Sequence, residues 1–594
     1  MLRPNERCFD VSLEMHVPVE QRGNHMYLSM PVWTPGHYLV EDYSRNVPEV
    51  KAFDSLTGDE RKVSKLAKSR WAVAPEDSER IRVEYAAYGL VYDDTKSYID
   101  SDHALINGAS VFLCPEGMES RPQKVTLIPS GGWRRASTGL ERVSEWEFMA
   151  EDYDVLVDSP IEVGNQETDS FQVGGTEYQV SMFDAGPIDR EKFVRDLKAI
   201  VEATVPIFDD VPYKRYVFIV GFTDDLGGGL EHLNSTVCMV PRFRMAPKEE
   251  YNLMMGLFSH EFFHAWNVKR LRPVGLGPFN YSGETYTKSL WIAEGITSYF
   301  DDLIVRRAGL YSVAEYLDAF AININLMKSL PGSRRQSAEE ASFDTWIKFY
   351  KPDANSPNVT SSYYTQGAVI GWMLDMEIRR ATNGAKKLDD AMRAIYQQTF
   401  LKEGRGYSDR EFEAACCAIG GEQLKEIFDA RVRGREEIDY DRYLGYAGLK
   451  LGPREETGQE KGFLGVRVAS EGGRNTVKAC LAGSPAEAMR LATNDELLGV
   501  DGMRAGAEKL AFYVASRGPG SPIRLAIARN GLLMSLDGEL GRRPTFEYRI
   551  RPLANVAEEQ KALFKAWLLD DWTTEIHYPD YLRSPDRRPV LDFV

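Results

Sequence analysis

Residues Ser259-His260-Glu261-Phe262-Phe263-His264 constrain this chain more than any other stretch, because their pattern carries meaning only on a helix. Side chains four residues apart on an α-helix share a face. His260 and His264 would therefore present two imidazoles to one Zn²⁺, and Glu261, beside the first, would reach a water held there. Eight histidines and 89 acidic residues scattered at random over 594 positions would form this pattern on the order of 0.02 times. The competing reading is a buried helix with two hydrogen-bonded histidines. About thirty residues on, Glu294 stands in Leu290-Trp291-Ile292-Ala293-Glu294-Gly295-Ile296. An unpaired carboxylate among such neighbours is costly, and a role as third metal ligand removes the cost. Alone, Glu294 would read as salt-bridged or solvent-facing; beside the histidine motif the ligand reading prevails. One Zn²⁺ per chain is expected, on His260, His264 and Glu294.

A chain of 594 residues exceeds one hydrophobic core, so about three or four domains are expected. Its 43% hydrophobic and 27% charged content is that of a folded globular protein. A net charge of −17 disfavours nucleic acid and anionic membrane surfaces as partners. No apolar run long enough to span a bilayer and no signal-peptide core is visible, so the chain as given reads as cytoplasmic. It would read as periplasmic or secreted had a leader been removed. The six cysteines show no Cys-x-x-Cys spacing, which argues against a disulfide framework or a cysteine zinc site. Adjacent Cys416 and Cys417 read as small core residues of a helix.

Along the chain, alternating segments such as Phe9-Asp10-Val11-Ser12-Leu13-Glu14-Met15 and Arg80-Ile81-Arg82-Val83-Glu84-Tyr85 predict an antiparallel β domain over 1–171. Within it, the aromatic stretch from Val32 to Asn46 reads as a loop packed on a sheet in preference to a substrate contact. After Gly186-Pro187, helical spacing appears through Phe193, Leu197, Ile200 and Val201, and a second domain is placed at 172–450. It holds a strand at Tyr216–Val220 and then Gly227-Gly228-Gly229-Leu230-Glu231-His232. The glycines could form only a turn. A carboxylate directly after them, ahead of a strand, would also sit where an extended peptide could pair with a sheet edge, which makes Gly228, Gly229 and Glu231 candidate substrate contacts. Long helical patterns fill residues 300–445. A tyrosine in Tyr363-Tyr364-Thr365-Gln366-Gly367, at the start of one of them, is either core or a hydroxyl donor to an oxyanion. Short strands return over 455–553, where Gly462-Phe463-Leu464-Gly465-Val466 and Gly483-Ser484-Pro485-Ala486 resemble a PDZ domain with its peptide-binding loop at the first segment. Asn494-Asp495 stands where such domains usually have Gly-Asp. The remaining 554–594, with Trp567, Trp572 and Tyr578, is expected to pack back as a helix and an extended arm.

Taken in order, several segments resemble the glycyl aminopeptidase family of gluzincin zinc metallopeptidases over nearly the whole chain. They are Trp33-Thr34-Pro35-Gly36 with Asp42-Tyr43-Ser44-Arg45, Gly228-Gly229-Leu230-Glu231-His232, His260-Glu261-Phe262-Phe263-His264 with Trp266 to Pro273, and Trp291 with Glu294-Gly295. The resemblance implies a multidomain α+β protein: an N-terminal antiparallel β domain, a thermolysin-like catalytic domain with a small sheet and a mainly helical part, and a C-terminal PDZ-like β domain. It also implies a preference for N-terminal Gly or Ala. A more distant similarity to the aminopeptidase N family implies roles. Glu231 would hold the substrate's free amine, His232 standing where that family has Asn, and Tyr364 of Tyr364-Thr365-Gln366-Gly367 would stabilise the oxyanion, with Tyr363 as its neighbour and competitor.

The expected activity is zinc-dependent hydrolysis of the N-terminal peptide bond of peptides with a free N-terminus, with Glu261 as general base and acid. The alternatives are an endopeptidase whose PDZ-like domain captures peptide C-termini, and a catalytically silent peptide-binding scaffold.

Overall fold

The computed structural model describes residues 2–453, 461–542, 548–583 and 593–594. It is a mixed α+β, multidomain chain with β sheets at its N-terminal end and a helical part, and its contacts divide it into two compact units. The first comprises residues 1–287, 307–310 and 392–408; the second comprises 288–306, 311–391 and 409–594. Among the described residues no helix is long and apolar enough to cross a membrane.

In the first unit, the N-terminal 165 or so residues form four sheets of three to five strands. The largest is antiparallel and centres on Arg80–Tyr88, which pairs with Cys8–His16 on one side and Val50–Asp54 on the other. Arg80–Tyr88 alternates strictly: Ile81, Val83, Tyr85 and Ala87 are buried while the intervening residues face outward. That period of two is what a half-buried antiparallel strand requires.

A mixed five-stranded sheet follows in the same unit, built from β1 (Glu167–Val173), β2 (Thr176–Phe183), β3 (Arg215–Thr223), β4 (Gly228–Glu231) and β5 (Ser235–Pro241) in the order β1-β2-β3-β5-β4. β2, β3 and β5 run parallel, and β4 returns antiparallel as an edge. Every residue of β5 is buried, as expected for a strand covered on both faces.

Helix α1 (Arg190–Phe208) starts where the Asp189 carboxylate caps the Lys192 N–H. Helix α2 (Lys248–Phe263) follows Pro247 and carries Glu249 and Glu250 in its first turn, at the positive end of its dipole. Phe258 of α2 meets Phe193 of α1 edge-on, and Phe262 meets Tyr216 and Phe218 of β3, so the helix is clamped by aromatic contacts on both sides.

In the second unit, a π-helical turn, Trp291–Ile296, runs into α3 (Thr297–Arg307). α4 (Tyr363–Ala381) is capped by the Ser362 hydroxyl and is buried along nearly its whole length. The π turn and α4 touch backbone to backbone. A Cβ on Gly295 would lie 2.5 Å from the Gly367 Cα, and one on Gly367 would lie 2.2 Å from the Trp291 carbonyl oxygen. Only glycine fits at either position.

The C-terminal part of this unit holds β6 (Gly462–Phe463) and a sheet of β7 (Val466–Glu471), β8 (Arg474–Cys480), β9 (Glu496–Val500), β10 (Pro522–Arg529) and β11 (Leu532–Glu539), covered by α5 (Ala507–Ala515). Its own core is built on Leu464, Val466, Leu510, Val514 and Leu525. Helix α6 (Glu558–Leu568) then buries Trp567 against Tyr316, and the Tyr578 hydroxyl donates to the Ile550 carbonyl.

Candidate metal and peptide site

Helix α2 places His260, Glu261 and His264 within its last turn and cap, with the two imidazole centroids 4.7 Å apart and nearly perpendicular. His264 donates from Nδ1 to the Asn267 carbonyl at 2.6 Å. A carbonyl can only accept, so the proton sits on Nδ1 and Nε2 keeps its lone pair for a ligand. The carbonyl is held by a turn in which Val268 adopts φ of +140°, an unusual value for a β-branched residue. Lys269 closes the turn by donating its backbone N–H to the His264 carbonyl.

The edge strand β4 lies against this helix end. Gly229 faces Glu261: a Cβ there would stand 2.4 Å from the Glu261 Oε1, so any larger residue would displace that carboxylate. Glu231, also buried, closes the strand. Glu231, Glu261 and His264 each bring one ligand atom to within 4.8 Å of the others. The aromatic loop reaches the same place. Gly36, at φ of +99°, would place a Cβ 2.5 Å from the Glu231 Oε2, so the loop walls in that carboxylate. Trp33 anchors the loop by donating from its indole N–H to the Asn280 carbonyl at 2.8 Å.

Two further groups around β4 leave no local trace in the sequence. Asp94 stands 2.8 Å from where a Gly228 Cβ would be, and burial, helped by Asp93, pushes its carboxyl up to about 7. Behind Glu231, Asp158 accepts from His232 Nδ1 at 3.0 Å, from Lys269 Nζ at 2.7 Å and from the Leu233 N–H at 3.0 Å. Burial alone would raise the Asp158 carboxyl, but Lys269 and His232 outweigh it and hold it below the usual carboxylate range. Burial pushes the His232 imidazole down, so His232 is a neutral supporting group for the turn that follows Glu231.

In the second unit, Glu294 lies on the π-helical turn and is 2% exposed. Single π turns recur at functional sites because they rotate one side chain out of the α-helical row. The Gly295–Gly367 contact brings this turn to the start of α4, where Glu294 is close enough to Tyr364 to raise its hydroxyl pKa, after the larger effect of burial. The two adjacent tyrosines differ. Tyr363 is fully buried and its hydroxyl accepts from Thr345 Oγ1 at 3.2 Å. Tyr364 is partly exposed, stacks on Tyr363 with centroids 4.7 Å apart, and pairs its hydroxyl with Tyr350. Both hydroxyls stay protonated at neutral pH.

Two family models match the chain in order. The model of the peptidase M61 N-terminal domain covers residues 1–165, and that of the M61 glycyl aminopeptidase covers residues 253–370. No curated protein sequence matches significantly. The crystal structure of an aminopeptidase N family protein from Idiomarina loihiensis matches with a TM-score of 0.87 at 25% identity, over 95% of this chain and 98% of that one. An M1 zinc metallopeptidase from Deinococcus radiodurans matches over 73% of this chain and 92% of that one, at 13% identity and a TM-score of 0.43, too remote to inform the site. The two M61 matches and the full-length structural likeness together support a peptidase, a hydrolase of peptide bonds.

Proposed function

We propose that this chain is a zinc-dependent aminopeptidase that removes one N-terminal residue, with Gly or Ala preferred. The observation that carries this reading is the closeness of Glu231 to Glu261, with ligand atoms within 4.8 Å. A residue spans at most about 3.3–3.6 Å of extended chain. If Glu231 holds the substrate's ammonium group and Glu261 serves the scissile bond, there is room for one residue between them.

The donor set suits zinc. His260 and His264 offer nitrogen ligands from one helix face, the His264 tautomer leaves Nε2 available, and Glu294 on its π turn is the proposed third ligand. The alternative trio of Glu231, Glu261 and His264 has one nitrogen and two carboxylates and would consume both groups needed for the chemistry. Zinc bound to His260, His264 and Glu294 would supply a Lewis acid for the scissile carbonyl and lower the pKa of the attacking water.

The protein's own groups do the rest. Glu261 takes the proton from the attacking water and returns it to the leaving amine. The substrate backbone pairs with β4, where Gly228 and Gly229 present main chain with no side chain to hold it off. Tyr364 donates its hydroxyl to the oxyanion. Tyr364→Phe should then lower kcat by about 10²-fold or more with KM little changed, whereas Tyr363→Phe should affect thermal stability and leave kcat within a few-fold. Steady-state kinetics on both variants, with melting curves, check this assignment; a kcat loss confined to Tyr363→Phe would reverse it.

A mixed peptide library digested and read by mass spectrometry, with metal measured on the same sample, tests the function. Free N-termini should lose one residue, chiefly Gly or Ala, and N-acetylated copies of the same peptides should survive. Cleavage inside acetylated peptides would replace the aminopeptidase reading with an endopeptidase.

A further inference from the structure

The two faces of β4 meet different surroundings. Gly229 and Glu231 point to the helix side, where Glu261 and His264 stand. Gly228 and Leu230, one residue out of step, point to the other side, and that face is bounded by two parts of the N-terminal β domain. At one end Leu230 is buried beneath the Gly36 backbone, where a Cβ would lie 2.6 Å from the Leu230 Cδ1. At the other the Asp94 carboxyl lies over Gly228, its Oδ2 2.8 Å and its Oδ1 3.9 Å from where a Cβ would be.

The loop that carries Asp94 is pinned on both flanks. After it, the Thr95 carbonyl accepts from the Tyr43 hydroxyl at 2.9 Å and from the Asn107 side-chain amide at 3.0 Å. Asp93 Oδ1 accepts the Thr95 N–H at 2.9 Å, and Lys96 is tied to Asp93 at 3.1 Å and to Glu41 at 3.3 Å. Before it, Tyr92 packs on a cluster that includes Leu105, Val217 and Val237, with its hydroxyl 2.5 Å from where a Gly221 Cβ would be. Such a loop holds its side chain in place against a bound ligand.

On the aminopeptidase reading, the first residue of the substrate sends its ammonium group to Glu231 and its carbonyl toward Glu261, both on the helix side of β4. A tetrahedral Cα with two substituents committed to one side turns its side chain to the other, toward Gly228, Leu230 and Asp94. We propose that Asp94 walls the space for that side chain, and that its volume confines the first residue to Gly or Ala. The inference rests on the aminopeptidase reading and names the residue that limits its substrates. In a pocket whose walls are fixed, one methylene too many changes selectivity by roughly 10- to 200-fold. A loop free to yield would give far less.

The test is competition between equimolar peptides that differ only in their first residue, Gly, Ala or Leu, digested by the intact chain, by Asp94→Ala and by Asp94→Asn and followed by mass spectrometry. Asp94→Ala should raise leucyl against glycyl turnover by about tenfold or more. Asp94→Asn, which keeps the volume, should leave that ratio close to that of the intact chain. Melting curves verify folding, and Asp94→Ser supplies a second truncation should Asp94→Ala unfold. An unchanged ratio in a folded, active truncation would overturn the proposal. An equal gain for leucine in Asp94→Asn would overturn it as well, since charge and not volume would then set the limit. The two failures are distinguishable. If the intact chain releases no first residue from any peptide, the aminopeptidase reading falls and takes this inference with it; release with a ratio indifferent to residue 94 removes the wall alone.

Discussion

Glu261→Gln should lower kcat on a glycyl chromogenic amide by about 10²- to 10⁴-fold, the range that a positioned general base contributes. The substitution is nearly isosteric, which matters because the carboxylate is buried and the β4 backbone at Gly229 leaves no slack beside it. KM should change little, since the base acts on the attacking water and the leaving amine and not on the bound ground state. Metal content on the same preparation makes the result diagnostic. If Glu261 is a base, the glutamine variant keeps its metal and loses turnover. If Glu231, Glu261 and His264 were instead the ligands, metal and turnover would fall together. Undiminished hydrolysis by a folded, metal-bearing variant would end the proposed mechanism.

The residues that could be read from the sequence are those whose geometry is local. His260 and His264 share a helix face by their spacing, and the alternation of Arg80–Tyr88 is written in adjacent residues. The glycines before Glu231 likewise pointed to an exposed backbone, and β4 is an edge strand. What escaped is long-range. Gly36 lies against Glu231 across almost two hundred residues, Asp94 stands over Gly228, and Asp158 is tied to Lys269 and His232; none of these contacts has a period or a spacing. The π turn at Trp291–Ile296 escaped for a related reason. Nothing in the residue types of this stretch marks a departure from α geometry, and the Gly295–Gly367 approach beside it is a tertiary contact. The partition of the N-terminal strands into four sheets was equally hidden, because pairing partners are chosen by tertiary contact.

Glu231→Gln should cost kcat/KM on peptides with a free N-terminus about 10²- to 10³-fold, while turnover of N-acetylated peptides stays at its low starting level. Removing one member of a desolvated charge pair costs about 2–5 kcal/mol because its partner is left buried and unpaired, and each 1.36 kcal/mol is a factor of ten in rate. The full penalty applies because the site cannot relax to rescue the ammonium group. The Gly36 backbone presses on the Glu231 carboxylate, and the turn after Glu231 is fixed from behind by Asp158 with Lys269 and His232. A glutamine amide in that space can offer an oxygen but no charge, so discrimination between free and acetylated peptides should shrink by the same factor that activity falls. Competition between the paired substrates, followed by mass spectrometry, reads that ratio directly and does not depend on how much active enzyme is present. A variant that loses activity equally on both substrates would show Glu231 to support the fold of the edge strand and not to bind an amine; loss of bound metal would move it into the ligand set. Retention of metal with collapse of the ratio alone is the outcome that makes a carboxylate at the end of β4 the reason an enzyme of this design stops after one residue.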